Sequence, residues 1–251
     1  MQDNAGVRHP SLLGGAFNFR DLGGLDTGRG FRTKPGLLFR SDTLQATTAE
    51  DLVRLVETYG IEVIVDLRLA REAAEEGRGR VLDHASVCYI NAPLGMAKPE
   101  GDPNEILTSL YLRCLEPNST LPRAVEMVAA MAGRPTVIHC AAGKDRTGLV
   151  ASLVLRLLGV SDDAIVEDYM ASGPNMERML TRFNEWPRYR DHIQSLPAQV
   201  YDVDERALRA FLAEIDKRYG NARSWALQHG IRAEVLDHLQ AALLMPTGQN
   251  F

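Results

Sequence analysis

The run Pro135-Thr136-Val137-Ile138-His139-Cys140-Ala141-Ala142-Gly143-Lys144-Asp145-Arg146-Thr147-Gly148-Leu149-Val150 decides how the chain folds and where its chemistry lies. Residues 135–139 read as a short apolar strand, and Thr147 to Leu158 as a helix stopped by Gly159. Between them a cysteine, five further residues and an arginine make a tight loop. Such a loop can curl until successive backbone N–H groups converge on one concavity, an anion nest. The helix behind it adds unpaired N–H donors and the positive end of its dipole.

Within the loop from His139 to Gly148, the residue types suit phosphate chemistry. The backbone of Ala141, Ala142, Gly143 and Lys144 supplies donors, and Gly143 permits a sharp turn or a close approach. Arg146 can grip two phosphate oxygens at once, and Lys144 adds charge beside it. The same positive field favours the thiolate of Cys140. A thiolate beneath a bound phosphate is an in-line nucleophile, so the expected intermediate is a phosphocysteine, later hydrolysed by water. Thr147 is placed to donate to the departing thiolate in that second step. His139 is expected to orient the loop through hydrogen bonds. Arg146, Lys144 and the backbone already balance the charge, so neither a metal nor an organic cofactor is expected.

Outward from this loop the chain alternates strand and helix. Residues 36–40 and 86–90 and the β-branched run Ile61 to Leu67 read as strands. Thr47 to Tyr59 reads as a helix, with Thr47 and Glu50 as a capping box. Residues 91–104, rich in Pro and Gly, form a loop, and Glu105 to Leu115 and Leu121 to Met131 are helices, the second capped by Thr120. The alternation predicts an α/β fold with a mainly parallel central sheet flanked by helices. From Ser161 onward the chain reads as helical, with one stripe at Leu208, Phe211, Leu212 and Ile215 and a last apolar helix from Val235 to Leu244. No repeat or linker interrupts it, so residues 1–251 are expected to form a single domain. Residues 175–200 mix aromatic, Met and Arg side chains. They fit either an amphipathic helix pair packed on the core, or a helical lid that could also touch an acidic lipid surface.

Composition narrows the function classes. With 28 basic and 33 acidic residues, the net charge of −5 argues against a general nucleic-acid binder. Cys88, Cys114 and Cys140 are too few and too scattered for a disulfide framework or a zinc site. Met1 to Ser11 has no basic segment followed by an apolar run, and no long apolar stretch follows. A cytoplasmic protein without a membrane span is therefore expected, export by a leaderless route being left open. Oligomeric state is not readable.

The loop resembles the Cys-x5-Arg signature of the protein tyrosine phosphatase superfamily. It is most similar to the atypical bacterial tyrosine phosphatases, whose loop reads His-Cys-x-x-Gly-Lys-Asp-Arg-Thr-Gly. Asn18-Phe19-Arg20-Asp21-Leu22-Gly23-Gly24 looks like the N-terminal motif of that family, and Leu38-Phe39-Arg40-Ser41-Asp42 and Val65-Asp66-Leu67-Arg68 look like two further segments in the expected order. The resemblance covers residues 16 to about 175, and the helical tail more loosely. It implies a phosphatase acting on phosphotyrosine in proteins, with phosphoserine, phosphothreonine and phosphoinositides as further substrates. Lys144 beside Arg146 is similar to the arrangement in lipid-directed phosphatases, where extra charge suits a multiply phosphorylated head group. A main role on inositol phosphates and a non-catalytic phosphate-binding module are the alternatives. The general acid is open between Asp145, which lies in the loop as it does in the resembling family, and Asp102 in the 91–104 loop. Arg20, Asp21, Arg40, Asp66 and Arg68 either organise the floor of the site or merely tie strands together.

Overall fold

The computed structural model describes residues 13–186, 189–190 and 196–248. Its main sheet has five strands in the order β1 (Arg20–Asp21), β3 (Leu38–Ser41), β6 (Thr136–His139), β4 (Val63–Asp66) and β5 (Cys88–Asn91). β3, β6, β4 and β5 run parallel, and only the edge strand β1 is antiparallel, to β3. A parallel sheet needs crossovers, and helices supply them. These are α1 (Ala49–Val53, continued by a wider π turn over Arg54–Thr58), α2 (Ala70–Glu76), α3 (Ile106–Arg113) and α4 (Leu121–Ala130), while α5 (Asp145–Leu157) follows β6, the last strand of this sheet in chain order.

The sheet is covered on both faces, as parallel sheets are, and side-chain alternation divides the strands between two cores. Leu38, Val63, Val65 and Ile138 face the larger core, which spans Leu22 to Leu243 and includes Tyr111, Leu149, Phe211 and Trp225. Phe39, Ile64 and Val137 face a smaller one with Phe19, Leu55 and Ile61, where Phe19 and Phe39 stack at 5.3 Å. Truncating a core aromatic such as Phe211 to alanine costs about 3–5 kcal/mol. The C-terminal part adds α6 (Asp162–Met170), α7 (Met176–Glu185), α8 (Glu205–Tyr219), α9 (Ala222–Gln228) and α10 (Ala233–Leu243). No helix among the described residues is long and apolar enough to cross a membrane.

Several local expectations need correction. The helix expected from Thr47 starts one residue later. Thr48 accepts from the Asp51 N–H, and Asp51 returns the bond to the Thr48 N–H at 3.0 Å. Asp51 rather than Glu50 fits because its carboxylate also accepts from Gly14 and Gly15, both at 2.8 Å. Thr120 precedes α4 without capping it; its hydroxyl donates instead to the Pro93 carbonyl at 2.7 Å. The last helix stops at Leu243, and β7 (Leu244–Pro246) pairs antiparallel with β2 (Phe31–Thr33), a small sheet the sequence did not suggest. Of the segment 175–200, α7 is described, while residues 187–188 and 191–195 lie outside the described residues.

The topology fixes where the chemistry lies. In register, Ser41 and Asp66 flank His139 on either side. Three parallel strands therefore end together where the Cys140 loop begins, the usual place for a ligand in an open α/β sheet.

Candidate active site

α5 begins at Asp145, two residues earlier than expected, so Arg146 and Thr147 belong to its first turn. The loop that joins β6 to α5 is shaped from outside, carbonyl by carbonyl. The Cys140 carbonyl accepts from His139 Nδ1 at 3.1 Å and that of Ala141 from the Thr43 N–H at 2.9 Å. Asn18 Nδ2 donates to the carbonyls of Ala142 and Gly143 at 3.2 and 3.1 Å, and Arg40 Nη2 to that of Gly143 at 2.7 Å. In a trans peptide the N–H points opposite to the carbonyl of the same unit. Carbonyls turned outward therefore turn the amides of residues 141–144 inward, and the Gly143 N–H lies 3.2 Å from Cys140 Sγ.

Gly143 is needed twice over. Its φ is +67°, and a Cβ there would lie 2.4 Å from the Ser41 carbonyl oxygen. Gly148 has a different reason: a Cβ there would meet the Tyr169 ring at 3.0 Å, so glycine lets α5 approach α6.

The supporting residues form one linked set. Arg20 donates to Asp168 Oδ1 at 2.9 Å, to the Asp168 carbonyl at 2.7 Å and to the Asn18 carbonyl at 3.1 Å. Arg40 Nη1 shares the same Asp168 carboxylate. These buried ion pairs organise the loop through Asn18 and Gly143 as well as joining strands. Asp21 stands apart: it accepts from Gly23 at 2.8 Å and Gly36 at 2.7 Å, so its part is to close a turn. Asp66 and Arg68 pair at 2.7 Å with full burial. Burial opposes the Asp66 charge, but His139 and Arg68 outweigh it and bring its pKa to about 2. Burial dominates at His139 and pushes its pKa down, against the pull of the Asp66 carboxylate 3.7 Å away.

Cys140 is 3% exposed at the base of the loop. Arg146 is held by Glu72, a residue that sequence reasoning missed. Burial works against the Arg146 charge, yet attraction to Cys140 and Glu72 raises its pKa above the ordinary value. Glu72 itself sits at the start of α2, accepting from the Leu69 N–H at 2.7 Å, and Arg146 more than offsets its burial, so its pKa is lowered. An acid just after the Val65–Arg68 segment, at a helix N-terminus, was the available signal. The Thr147 hydroxyl is buried with no hydrogen-bond partner among the described residues, so it is free to donate.

Two expected roles look different in the structure. Lys144 does not stand beside Arg146 as a second phosphate grip. Its Nζ donates to the carbonyls of Val200 and Asp202 at 2.7 and 2.8 Å, because the chain returns over the loop there, and three oxygen acceptors in all lie within its reach. The third is Asp145 Oδ1, at 3.3 Å. Asp102 belongs to a turn, where it is exposed and accepts from the Asn104 N–H at 2.9 Å. Asp145, the first residue of α5, has 24% of its side chain exposed, while Cys140 is 3% exposed. Among the described residues no group of three His, Cys, Asp or Glu is placed to hold a metal ion.

α7 packs over this loop. Met176, Met179, Phe183 and Tyr189 form a third apolar cluster with Ala141, and Ala142 and Trp186 lie against it. Arg182 fastens the helix: Nη1 donates to the Gly15 carbonyl at 2.9 Å and reaches Asp42 Oδ2 at 3.3 Å, and its guanidinium lies 3.6 Å over the Phe17 ring. The Tyr189 hydroxyl donates to Glu76, which also receives Arg68 at 3.1 Å.

The chain is similar to several known proteins. The chain is 29% identical to the triple specificity protein phosphatase PtpB of Mycobacterium tuberculosis, over 92% of this chain and 98% of that one. It is 24% identical to a tyrosine-protein phosphatase of Nostoc commune, over 83% of this chain and 80% of that one. Among solved structures it is similar to TpbA of P. aeruginosa, at 16% identity over 82% of this chain and 93% of that one, with a TM-score of 0.41. The model of the tyrosine phosphatase family matches residues 12–245, well past the 175 or so where the sequence resemblance weakens. The match takes in the loop, its supporting residues and the helical tail alike, and the chain belongs to the tyrosine phosphatase family.

Proposed function

We propose that the chain hydrolyses phosphate monoesters, phosphotyrosine in proteins first, through a phosphocysteine formed on Cys140. The observation that carries this reading is the loop with its carbonyls tied outward by Thr43, Asn18 and Arg40 above a cysteine sulfur. The inward amides and Arg146 bind the phosphate oxygens, and Cys140 Sγ attacks phosphorus in line while the tyrosyl oxygen leaves. Asp145 gives that oxygen its proton. In the second step a water attacks phosphorus, the sulfur leaves, and Thr147 donates to the departing thiolate. Asp145, now ionised, accepts the proton of the water. His139, Asn18, Arg20 and Arg40 hold the loop, and α7 with Trp186 and Tyr189 serves as a lid that closes it from water.

The triple specificity in the name of the mycobacterial relative favours a range wider than tyrosine as the second reading. Phosphoserine, phosphothreonine and phosphoinositides then enter the same loop without drawing on Lys144. A reducing compartment such as the cytoplasm suits an unpaired, working Cys140. The test is release of phosphate from a phosphotyrosine peptide, a phosphoserine peptide and mono- and bis-phosphorylated inositides. We expect vanadate-sensitive release from the phosphotyrosine peptide, abolished by Cys140→Ser. Activity that survives Cys140→Ser would end the reading.

A further inference from the structure

Among the described residues, Asp145 is held at one carboxylate oxygen. Its Oδ1 accepts from the Tyr111 hydroxyl at 2.5 Å and lies 3.3 Å from Lys144 Nζ. The Tyr111 hydroxyl is 2.7 Å from that of Tyr169. Both rings are buried in the main core, edge to face at 6.3 Å. Tyr111 comes from α3 and Tyr169 from α6, so a chain of two hydroxyls ends on a single carboxylate oxygen of α5.

We propose that Tyr111, with Tyr169 behind it, is the positioning residue for proton donation by Asp145; the proposal rests on the reading of Asp145 as the general acid. A tyrosine has one hydroxyl hydrogen. Tyr111 spends it on Asp145 Oδ1, so Tyr169 must be the donor to Tyr111. With Oδ1 already facing a hydroxyl and an ammonium donor, the carboxyl proton belongs on Oδ2. As the phosphorus–oxygen bond to the tyrosyl group breaks and the bond from Cys140 Sγ forms, the Oδ2 proton moves to the leaving oxygen. The negative charge that develops on Asp145 is met at Oδ1 by the two donors already in place, a preorganised arrangement that needs no rearrangement during the step. Burial and the nearby Asp145 charge push the Tyr111 pKa well above the ordinary value, which keeps its hydroxyl a donor. A phenylalanine at either position keeps the ring in the core and removes only the hydroxyl; that of Tyr169 is also tied to the Asp204 backbone.

The test separates bond-making from proton transfer by the leaving group. Phosphotyrosine needs a proton on its leaving oxygen, whereas dinitrophenyl phosphate departs without one. Tyr111→Phe is expected to lower kcat/KM about tenfold on phosphotyrosine and to leave dinitrophenyl phosphate within about twofold. Tyr169→Phe, which keeps the Tyr111 contact to Asp145, should lose about threefold with the same selectivity. In an Asp145→Asn background, Tyr111→Phe should cost nothing further. Equal losses on the two substrates, or a further loss in the Asp145→Asn background, would overturn the proposal while a selective Asp145→Asn defect left the acid assignment standing. A non-selective Asp145→Asn defect would bring down both.

Discussion

Glu72 holds Arg146 end-on, Oε2 against Nη1 at 2.6 Å and Oε1 against Nη2 at 3.0 Å. The pair joins the start of α2 to the first turn of α5, 74 residues apart in sequence. It fixes the guanidinium plane before any anion arrives and uses two of its five N–H donors. Glu72→Gln should therefore lower kcat/KM on phosphotyrosine about tenfold, chiefly through a higher KM, since Arg146 meets phosphate in ground and transition states alike. Steady-state kinetics of Glu72→Gln and Glu72→Asp check it. Unaltered constants for both would remove Glu72 from the site.

Gly143→Ala should abolish oxyanion binding. The positive φ alone costs a side chain about 1–2 kcal/mol, and the Ser41 carbonyl 2.4 Å from the new Cβ forces the loop to move as well. Melting curves with and without vanadate read both effects. We expect a fall of about 5 °C in Tm without ligand and no rise when vanadate is added. A vanadate shift equal to that of the parent protein would contradict the steric account.

Lys144→Met separates a tether from a phosphate ligand. As a tether to Val200 and Asp202, Lys144 contributes to stability and to the seating of the 200–202 segment. Its loss should lower Tm while changing the ratio of rates on a phosphotyrosine peptide and a bis-phosphorylated inositide by less than about twofold. Selective loss of the bis-phosphorylated substrate would return Lys144 to the anion site.

Asp66 predicts an acid limb of stability. Its folded pKa, about 2, lies below the ordinary 3.8. A depressed carboxyl pKa contributes stability above the unfolded value and loses it as pH falls through the folded one. Between pH 5 and pH 2 the parent protein should lose about 2 kcal/mol that Asp66→Asn does not. Urea unfolding at both pH values compares the two, and parallel losses would show that Asp66 is not the titrating group.

How much of this was legible depends on the distance over which each residue finds its partner. The strand, loop and helix around Cys140 are consecutive, and their glycines, arginine and β-branched run declare themselves locally. Gly143 could be read from its place in the turn. The partners of Lys144 lie 56 and 58 residues away and are backbone carbonyls, which no side-chain pattern marks. Asp168 is a carboxylate inside a helix that gives no hint it will meet Arg20 and Arg40, 148 and 128 residues earlier. The slip from Thr47 to Thr48 has the same origin. Both threonines have an acid three residues on, and only Asp51 is also reached by Gly14 and Gly15. Sequence reasoning singled out Cys140 and its loop because their pattern is local. It missed Glu72 and Tyr111 because theirs is assembled by packing.

The outward-turned carbonyls of Ala141, Ala142 and Gly143 have one last consequence. A cradle of inward amides and a fixed guanidinium fits a bare tetrahedral dianion as well as it fits the same group on an ester. Inorganic phosphate, the product, must therefore compete for the cradle, and throughput is throttled by the enzyme's own output as that ion accumulates. Choice among phosphorylated molecules then falls to surfaces that never touch the phosphorus.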